Sequence, residues 1–384
     1  MDEREKVTRN WPSSRDGDPV IWSDRLNSWL VLSHNAALEI VSSQSFSTAA
    51  YAVARPSPLP IPSGFELAPE VRRRVHSAAM ACVGPRTFPQ RTIYRRCVEV
   101  AEALPLGVEI EFSSQVAEPA AKALTGTWFG LSPEETDWLA TAFKMARNAE
   151  EPLKRAAAAQ LATERLREAI SKARIGQSDT LLSRMVRSWQ DNGADDNSLL
   201  AFVAPTFDSL ARGFGGRLLT HTAYHLSREV EVQDRIRSDG WEAARKAVLE
   251  SARLNPVNPT ILRECLEDRK LAGIDIARGD RLIILLAAVC RDPAAYSDPD
   301  KFLLDRKTRH LAFGHGTYAC SGREIALAVA TTMLTELIHR SGFSISPTPN
   351  GNPVFGGDFG RSCLELPVVL ERAANRQDNL EKTN

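Results

Sequence analysis

The sequence predicts a mainly helical fold with a small β portion, built as one domain over residues 1–384 with flexible tails at 1–10 and 373–384. Three observations carry this expectation. Helical periodicity, rich in Ala, Leu, Arg and Glu, dominates from Pro69 to about Arg237. Strand-like runs are short and confined to the stretch after Pro19 and to the region beyond Arg269. No internal repeat and no linker-like segment divides the chain.

Taken in order, PVIWSDRLNSWLVLS (Pro19 to Ser33) reads as two short strands joined by a turn at Asn27-Ser28. Residues 35–42 then read as a helix. Tyr51 to Pro69 is rich in Pro, Ser and Ala and reads as a long loop, of the kind that is often functional. Lys154 to Arg174 (KRAAAAQLATERLREAISKAR) is a strong helix pattern. Ser198 to Glu229 reads as one long helix despite Pro205 and several glycines. Short strands follow around Arg269 to Ile284, then an Asp/Pro-rich loop from Arg291 to Arg309. One helix is expected from beyond Cys320 to about His339, and a Pro/Gly-rich β region from Ser341 to Leu370.

The bulk numbers exclude several classes. Hydrophobic residues make up 43% and charged residues 25%, ordinary for a globular protein. Lys+Arg and Asp+Glu are both 48, so the strong basic excess of a general nucleic-acid binder is missing. The longest apolar run, near Leu282 to Val289, is too short to span a bilayer. MDEREKVTRNWP lacks the apolar core of a signal peptide, so the expectation is a cytoplasmic protein with no membrane partner. The six cysteines form no C-x-x-C pair and suit neither a zinc site nor a disulfide framework. By default each is a small buried hydrophobe.

Cys320 is the exception. HLAFGHGTYACSGREIALAVA (His310 to Ala330) sets it among glycines at the mouth of a helix. A thiol there could be a nucleophile, a metal ligand or a buried hydrophobe. A thiolate ligand must be held rigidly, kept deprotonated and shielded from water. Glycines let backbone N–H groups approach the sulfur, and a helix N-terminus beyond it adds positive dipole. The stretch holds all these parts.

Phe313, Gly314, Gly316, Cys320 and Gly322 spell F-G-x-G-x-x-x-C-x-G, five fixed identities in ten residues. This resembles the haem-binding loop of the cytochrome P-450 family, in which the Cys is the proximal ligand of haem b iron. Further segments extend the resemblance over nearly the whole chain. Glu250 and Arg253 match the family's E-x-x-R pair, and at i,i+3 they share one helix side. CRDPAAYSDPDKF, with Arg291, Asp292, Pro293, Asp298, Pro299 and Phe302, is similar to the stretch that precedes the haem loop. GDPVIWSDRLNSWLVLS is similar to the family's opening strands. The resemblance is to the soluble bacterial kind, and it implies a monooxygenase using dioxygen and electrons from a ferredoxin and ferredoxin reductase.

By the same resemblance, His310, Arg263 and the pair Arg72 and His76 would hold the haem propionates. Arg72 and His76 carry the family's His and Arg in exchanged order. Arg73 and Arg74 read as a solvated face or as part of a basic patch for an acidic ferredoxin. His34, His221, His225 and His339 show no metal-ligand pattern.

The distal helix departs from the family's small-Gly-x-acid-Thr motif. In one register of AFVAPTFDSLARGFGGRLL, Ala204-Pro205 replaces the small-Gly pair, Phe207 the acid and Asp208 the Thr. In the other, Asp208 is the acid and Ser209 the alcohol that relay protons during dioxygen activation. The second keeps the chemistry and is preferred. Both lose the usual Gly. Pro205 lacks an N–H, leaves the Ala201 carbonyl without its partner and is expected to kink the helix. This departure keeps two alternatives open: a haem-thiolate enzyme for oxidative coupling, cyclisation or peroxide-driven oxidation, and a non-catalytic haem or ligand-binding protein. The substrate is expected to be a small molecule of secondary metabolism, free or carrier-bound. Its pocket would be lined by Ser47 to Phe65, the helices around 140–185, Val257 to Ile261 and Asn352 to Phe355, with Thr206, Val257 and Phe355 as contacts.

Overall fold

The computed structural model describes residues 17–50, 57, 59–60, 69–82, 90–176, 178–190, 196–211, 214–307, 309–349, 351–356 and 362–372. The expected tails, most of the Tyr51 to Pro69 loop and the side chain of His76 lie outside them.

The first part of the chain forms β1 (Val20–Ser23), β2 (Ser28–Val31), α1 (His34–Ser42) and β3 (Phe46–Ser47). The turn between β1 and β2 ends on Asn27, whose φ of 43° suits an Asn. Ser28 is already paired in β2, opposite Ser23. Ser33 caps α1 by accepting from the Ala36 N–H. Next come α2 (Pro69–Cys82), α3 (Gln90–Glu102), β4 (Glu109–Glu111) and a π-helical stretch, Ser113–Ala117, that runs into α4 (Glu118–Phe129). Then follow α5 (Pro133–Asn148), α6 (Pro152–Ile175) and α7 (Leu181–Gln190). α5 opens on a capping box between Ser132 and Glu135.

The expected long helix is described as α8 (Asp196–Ala211) and α9 (Phe214–Leu226), with 212–213 outside the described residues. α8 runs on through Pro205. α9 stops at Leu226, short of Glu229, because the Gln233 amide ties off the Leu226 carbonyl at 2.7 Å. α10 (Val230–Asp239) and α11 (Trp241–Leu254) complete the main helical layer.

The later strands are β5 (Thr260–Cys265), β6 (Arg269–Leu271), β7 (Ile274–Ile276) and β8 (Arg281–Leu285), followed by the single turn α12 (Leu286–Val289). After the Cys320 loop come α13 (Arg323–Leu334), continued by a π-helical stretch to Arg340, then β9 (Phe343–Pro347), β10 (Val354–Gly356), β11 (Ser362–Glu365) and β12 (Pro367–Arg372). The main sheet has the order β1-β2-β8-β5-β3, with β2 and β8 parallel. β4 and β9 flank β12 in a second sheet.

Three strands escaped the sequence reading, among them the two-residue β3, which pairs with β5. β4 interrupts the helical stretch because Ile110, buried and paired with Val368, alternates with two glutamates. β5 lies before the expected strands and pairs with β8.

A helical core and a sheet-side core meet at the Cys320 loop. Leu311, 3% exposed, sits in the sheet-side cluster, Phe313 packs on the helical one, and Ala312 touches both. Burying Leu311 contributes about 2 kcal/mol, which fixes one end of the loop. Among the described residues, no helix is long and apolar enough to cross a membrane.

Candidate functional site

The Cys320 loop is shaped by its glycines and its backbone. Gly314 (φ 69°) closes a turn, its N–H donating to the Leu311 carbonyl at 2.8 Å. Gly316 (φ 67°) lies so close to α1 that a Cβ would stand 3.0 Å from the Val41 carbonyl oxygen. The Cys320 N–H donates to the Phe313 carbonyl at 2.7 Å, closing the loop on itself. α13 starts three residues on, with Gly322 as its N-cap.

The sulfur is placed unusually. Cys320 is exposed, whereas the other five cysteines are buried. Yet burial is the largest influence on its thiol and pushes it up. Solvent thus reaches the side chain although dense protein surrounds it. The backbone N–H groups of Gly322 and Arg323, with the Arg323 charge, oppose that upward push. These contacts favour negative charge on the sulfur without fully offsetting burial. The donor set therefore fits a thiolate whose charge a cation completes.

Beneath this loop, Glu250 and Arg253 form a buried bidentate pair, both bonds at 2.8 Å. Arg253 Nη1 also donates to the carbonyls of Cys290 (2.8 Å) and Pro299 (2.7 Å). Arg306, which the sequence reading missed, donates from Nε to Glu250 Oε1 at 2.7 Å and from Nη2 to the Asp298 carbonyl at 2.6 Å. Burial would raise the Glu250 carboxyl, but the two arginines and the Leu303 N–H outweigh it and hold it below the usual range. The pair thus fastens α11 to the strand-free stretch 290–306 that leads into the Cys320 loop.

Three of the expected propionate partners are described, and two of them touch the loop. Arg72 of α2 donates to Thr48 Oγ1 at 2.6 Å and lies over the Tyr318 ring at 5.6 Å, so it touches the loop directly. Arg263 of β5 is 4% exposed and donates to the Leu262 carbonyl. His310 accepts from the Ala312 N–H at Nδ1, 3.3 Å away. Burial, then the Arg323 charge, pushes its pKa down to about 4. A neutral imidazole accepting at Nδ1 carries its proton on Nε2, a donor suited to a carboxylate. Arg73 and Arg74 are exposed. Among the described residues, no cluster of His, Cys, Asp and Glu could hold a metal ion by itself.

The Cytochrome P-450 family model matches residues 242–362, a span that contains Glu250, Arg253 and the whole Cys320 loop. Nocardicin C N-oxygenase of Nocardia uniformis subsp. tsuyamanensis is 26% identical over 365 residues, covering 89% of each chain. The P-450 described as forming a C–S bond in chuangxinmycin biosynthesis superposes with a TM-score of 0.78 at 21% identity, over 96% of this chain and 95% of that one. A P-450 solved in complex with an acyl carrier protein bearing hexadec-9Z-enoic acid gives 0.80 at 20% identity, over 96% and 100%.

The chain is similar to the cytochrome P-450 family along most of its length. It is an oxidoreductase of the P-450 type, and the similarity implies a haem iron cofactor.

In the segment expected to form the distal helix, Asp208 has a partner that the sequence reading did not foresee. Both oxygens of Asp208 accept from the Arg147 guanidinium at 2.7 Å, and the Asp208 side chain is 7% exposed. The expected acid is thus already engaged with a cation, and Ser209, the expected alcohol, is half-buried one residue on. Thr206 directs its hydroxyl to the Phe202 carbonyl at 2.8 Å. Phe207 is buried edge-on against Phe129 and tilted against Phe143, locking α8 to α4 and α5. Pro205 is exposed.

Of the expected substrate contacts, Val257 is half-buried against the helical core. Phe355 is 39% exposed and edge-on to Tyr224 at 5.1 Å. A cavity of about 350 Å³ lies between α4, α5, α6 and α7, lined by Trp138, Arg165 and Lys172 among others; it draws on the helices around 140–185 expected to line the pocket, but holds none of Thr206, Val257 and Phe355.

Proposed function

We propose that this P-450 is a haem b monooxygenase that oxidises a small organic molecule of natural-product biosynthesis, in the cytoplasm, as a single domain fed by a ferredoxin and its reductase. The observation that carries the reading is the Cys320 side chain, reached by solvent amid dense protein and met by two backbone N–H groups. Bound haem would supply dioxygen activation and substrate oxidation.

The chain's own residues hold and orient. Cys320 would be the iron ligand, its charge stabilised by the Gly322 and Arg323 N–H groups. Arg72, Arg263, His310 and His76 would hold the propionates, the arginines as cations and His310 through Nε2–H. Phe313 would shield the sulfur, and Gly314, Gly316 and Gly322 would keep the loop close. Glu250, Arg253 and Arg306 would brace the loop from below. Thr206, Val257 and Phe355 would face the substrate.

The test is the carbonyl spectrum of the reduced protein. A thiolate-type band in the wild type that Cys320→Ala abolishes supports the assignment. A band that survives the substitution sinks it.

A second reading is favoured by one observation, the commitment of Asp208 to Arg147. With that acid engaged, an enzyme for oxidative coupling or cyclisation, taking its protons from the substrate, fits as well. The relative described as forming a C–S bond supports this reading. The relative solved with an acyl carrier protein supports a carrier-borne substrate. Turnover under heavy dioxygen separates the two: label in the product favours monooxygenation, and unlabelled product favours coupling.

A further inference from the structure

His221 and His225 stand one turn apart on α9 and take no part in the loop or the propionate set. Both meet Asn255, the residue that ends α11 just after Arg253. His221 Nδ1 lies 2.8 Å from the Asn255 carbonyl, and its Nε2 accepts from the Cys363 N–H at 3.1 Å. A backbone N–H can only donate and a carbonyl can only accept, so the His221 proton is on Nδ1. His225 Nε2 donates to Asn255 Oδ1 at 3.0 Å. Burial pushes both rings down, to about 4 for His221 and about 3 for His225, so both are neutral. The charges that reach them are Arg217 on His221, and Arg291 and Glu250 on His225.

This hub joins the parts that would form the substrate wall. Asn255 precedes Val257 by two residues. Cys363 pairs with Phe355 across β10 and β11, at the point where the register shifts. Tyr224, between the two histidines, packs its ring on both Phe355 and His225. Short β strands with a register shift do not hold themselves in place. Here the His221 ring supplies the acceptor that the Cys363 N–H needs.

We propose that His221 and His225, acting through Asn255, are positioning residues that set where Val257 and the β10–β11 hairpin stand relative to the distal helix, and so determine which substrates fit. This rests on the reading of Val257 and Phe355 as substrate wall. The test compares His221→Gln and His225→Gln with the wild type, each loaded with haem. Imidazole and 4-phenylimidazole serve as probes, both ligating iron but only one pressing on the wall. The expected result is imidazole affinity within about threefold of wild type, with the ratio of the two affinities shifted by about tenfold. Hydrogen exchange in residues 362–365 should quicken in His221→Gln. Intact haem and an unchanged ratio in both variants would overturn this proposal alone. A wild-type protein that binds no haem would overturn the haem reading and this proposal with it.

Discussion

Arg147, in the last turn of α5, and Asp208, in α8, form a two-point ion pair with both bonds at 2.7 Å. It ties the end of α5, just before the short turn into α6, to the helix that would cross the distal face. Asp208 is buried and Arg147 only partly exposed, so losing either partner leaves a charge poorly compensated. Arg147→Gln and Asp208→Asn should therefore each destabilise the fold by about 2 kcal/mol, and the double variant by little more than either alone. A double-mutant cycle by chemical denaturation reads this. Additive effects would mean that the two side chains act separately. Peroxide leakage during turnover gives the functional readout, expected to rise equally in both single variants.

Arg306 should matter as much as the better-known pair beside it. Its Nε meets the same Glu250 oxygen as Arg253 Nη2, and its other nitrogens hold the carbonyls of Ser297, Asp298 and Lys301. Arg306→Ala removes a donor from a 4%-exposed carboxylate and releases the stretch that leads to His310. The expected loss is about 3 kcal/mol, with a lower haem content after expression. Thermal melting and the haem-to-protein ratio check it. Stability and haem content equal to wild type would remove Arg306 from the brace.

The buried histidines predict acid sensitivity. Their folded pKa values lie below the ordinary 6.5: about 4 for His221 and about 3 for His225. Above pH 6.5 neither the folded nor the unfolded state binds the proton, so the stability is fully present. As the pH falls from 6.5 towards 4, the unfolded chain takes up protons that the folded protein refuses, and stability is lost. At pH 5 the loss for His221 is on the order of 2 kcal/mol. Denaturation at pH 7.5 and pH 5 measures it. His221→Gln should show a flatter dependence over that range, and an identical slope would exclude His221 as its source.

The sequence carried the Cys320 loop well because its constraints are local. Gly314 and Gly316 both adopt positive φ, and the glycines, Phe313 and Cys320 sit within ten residues. The Glu250–Arg253 pair was legible for the same reason, being one helical turn apart. Arg306 was not, because nothing in its neighbourhood says that its partner lies 56 residues upstream. Arg147 was missed likewise, 61 residues from Asp208. His221 and His225 were visible as an i,i+4 pair, but their shared partner Asn255 emerges only when α11 ends beside α9. β4 was hidden by the surrounding helical pattern, although Glu109, Ile110 and Glu111 do alternate. Local rules marked the loop and the Glu250–Arg253 pair, and long-range pairing supplied what holds them.

Cys320 and Gly316 allow ligation to be separated from loop shape. The loop is closed by backbone bonds, Cys320 N–H to Phe313 and Ala319 N–H to Gly316, and none of them uses the sulfur. Cys320→Ser should therefore leave the haem-free fold within about 0.5 kcal/mol of wild type. Its reduced carbonyl complex should lose the thiolate-type band, because a neutral hydroxyl cannot supply the same electron density. Gly316→Ala tests the opposite case. It keeps the thiol but forces a side chain into the left-handed region, at about 1–2 kcal/mol, with its Cβ 3.0 Å from the Val41 oxygen. That variant should bind less haem, yet whatever haem it holds should keep the thiolate band. Carbonyl spectra normalised to haem content distinguish the two. A thiolate band in Cys320→Ser would remove Cys320 as the ligand, and its loss in Gly316→Ala would mean that the loop's shape, and not the sulfur alone, keeps the ligand charged.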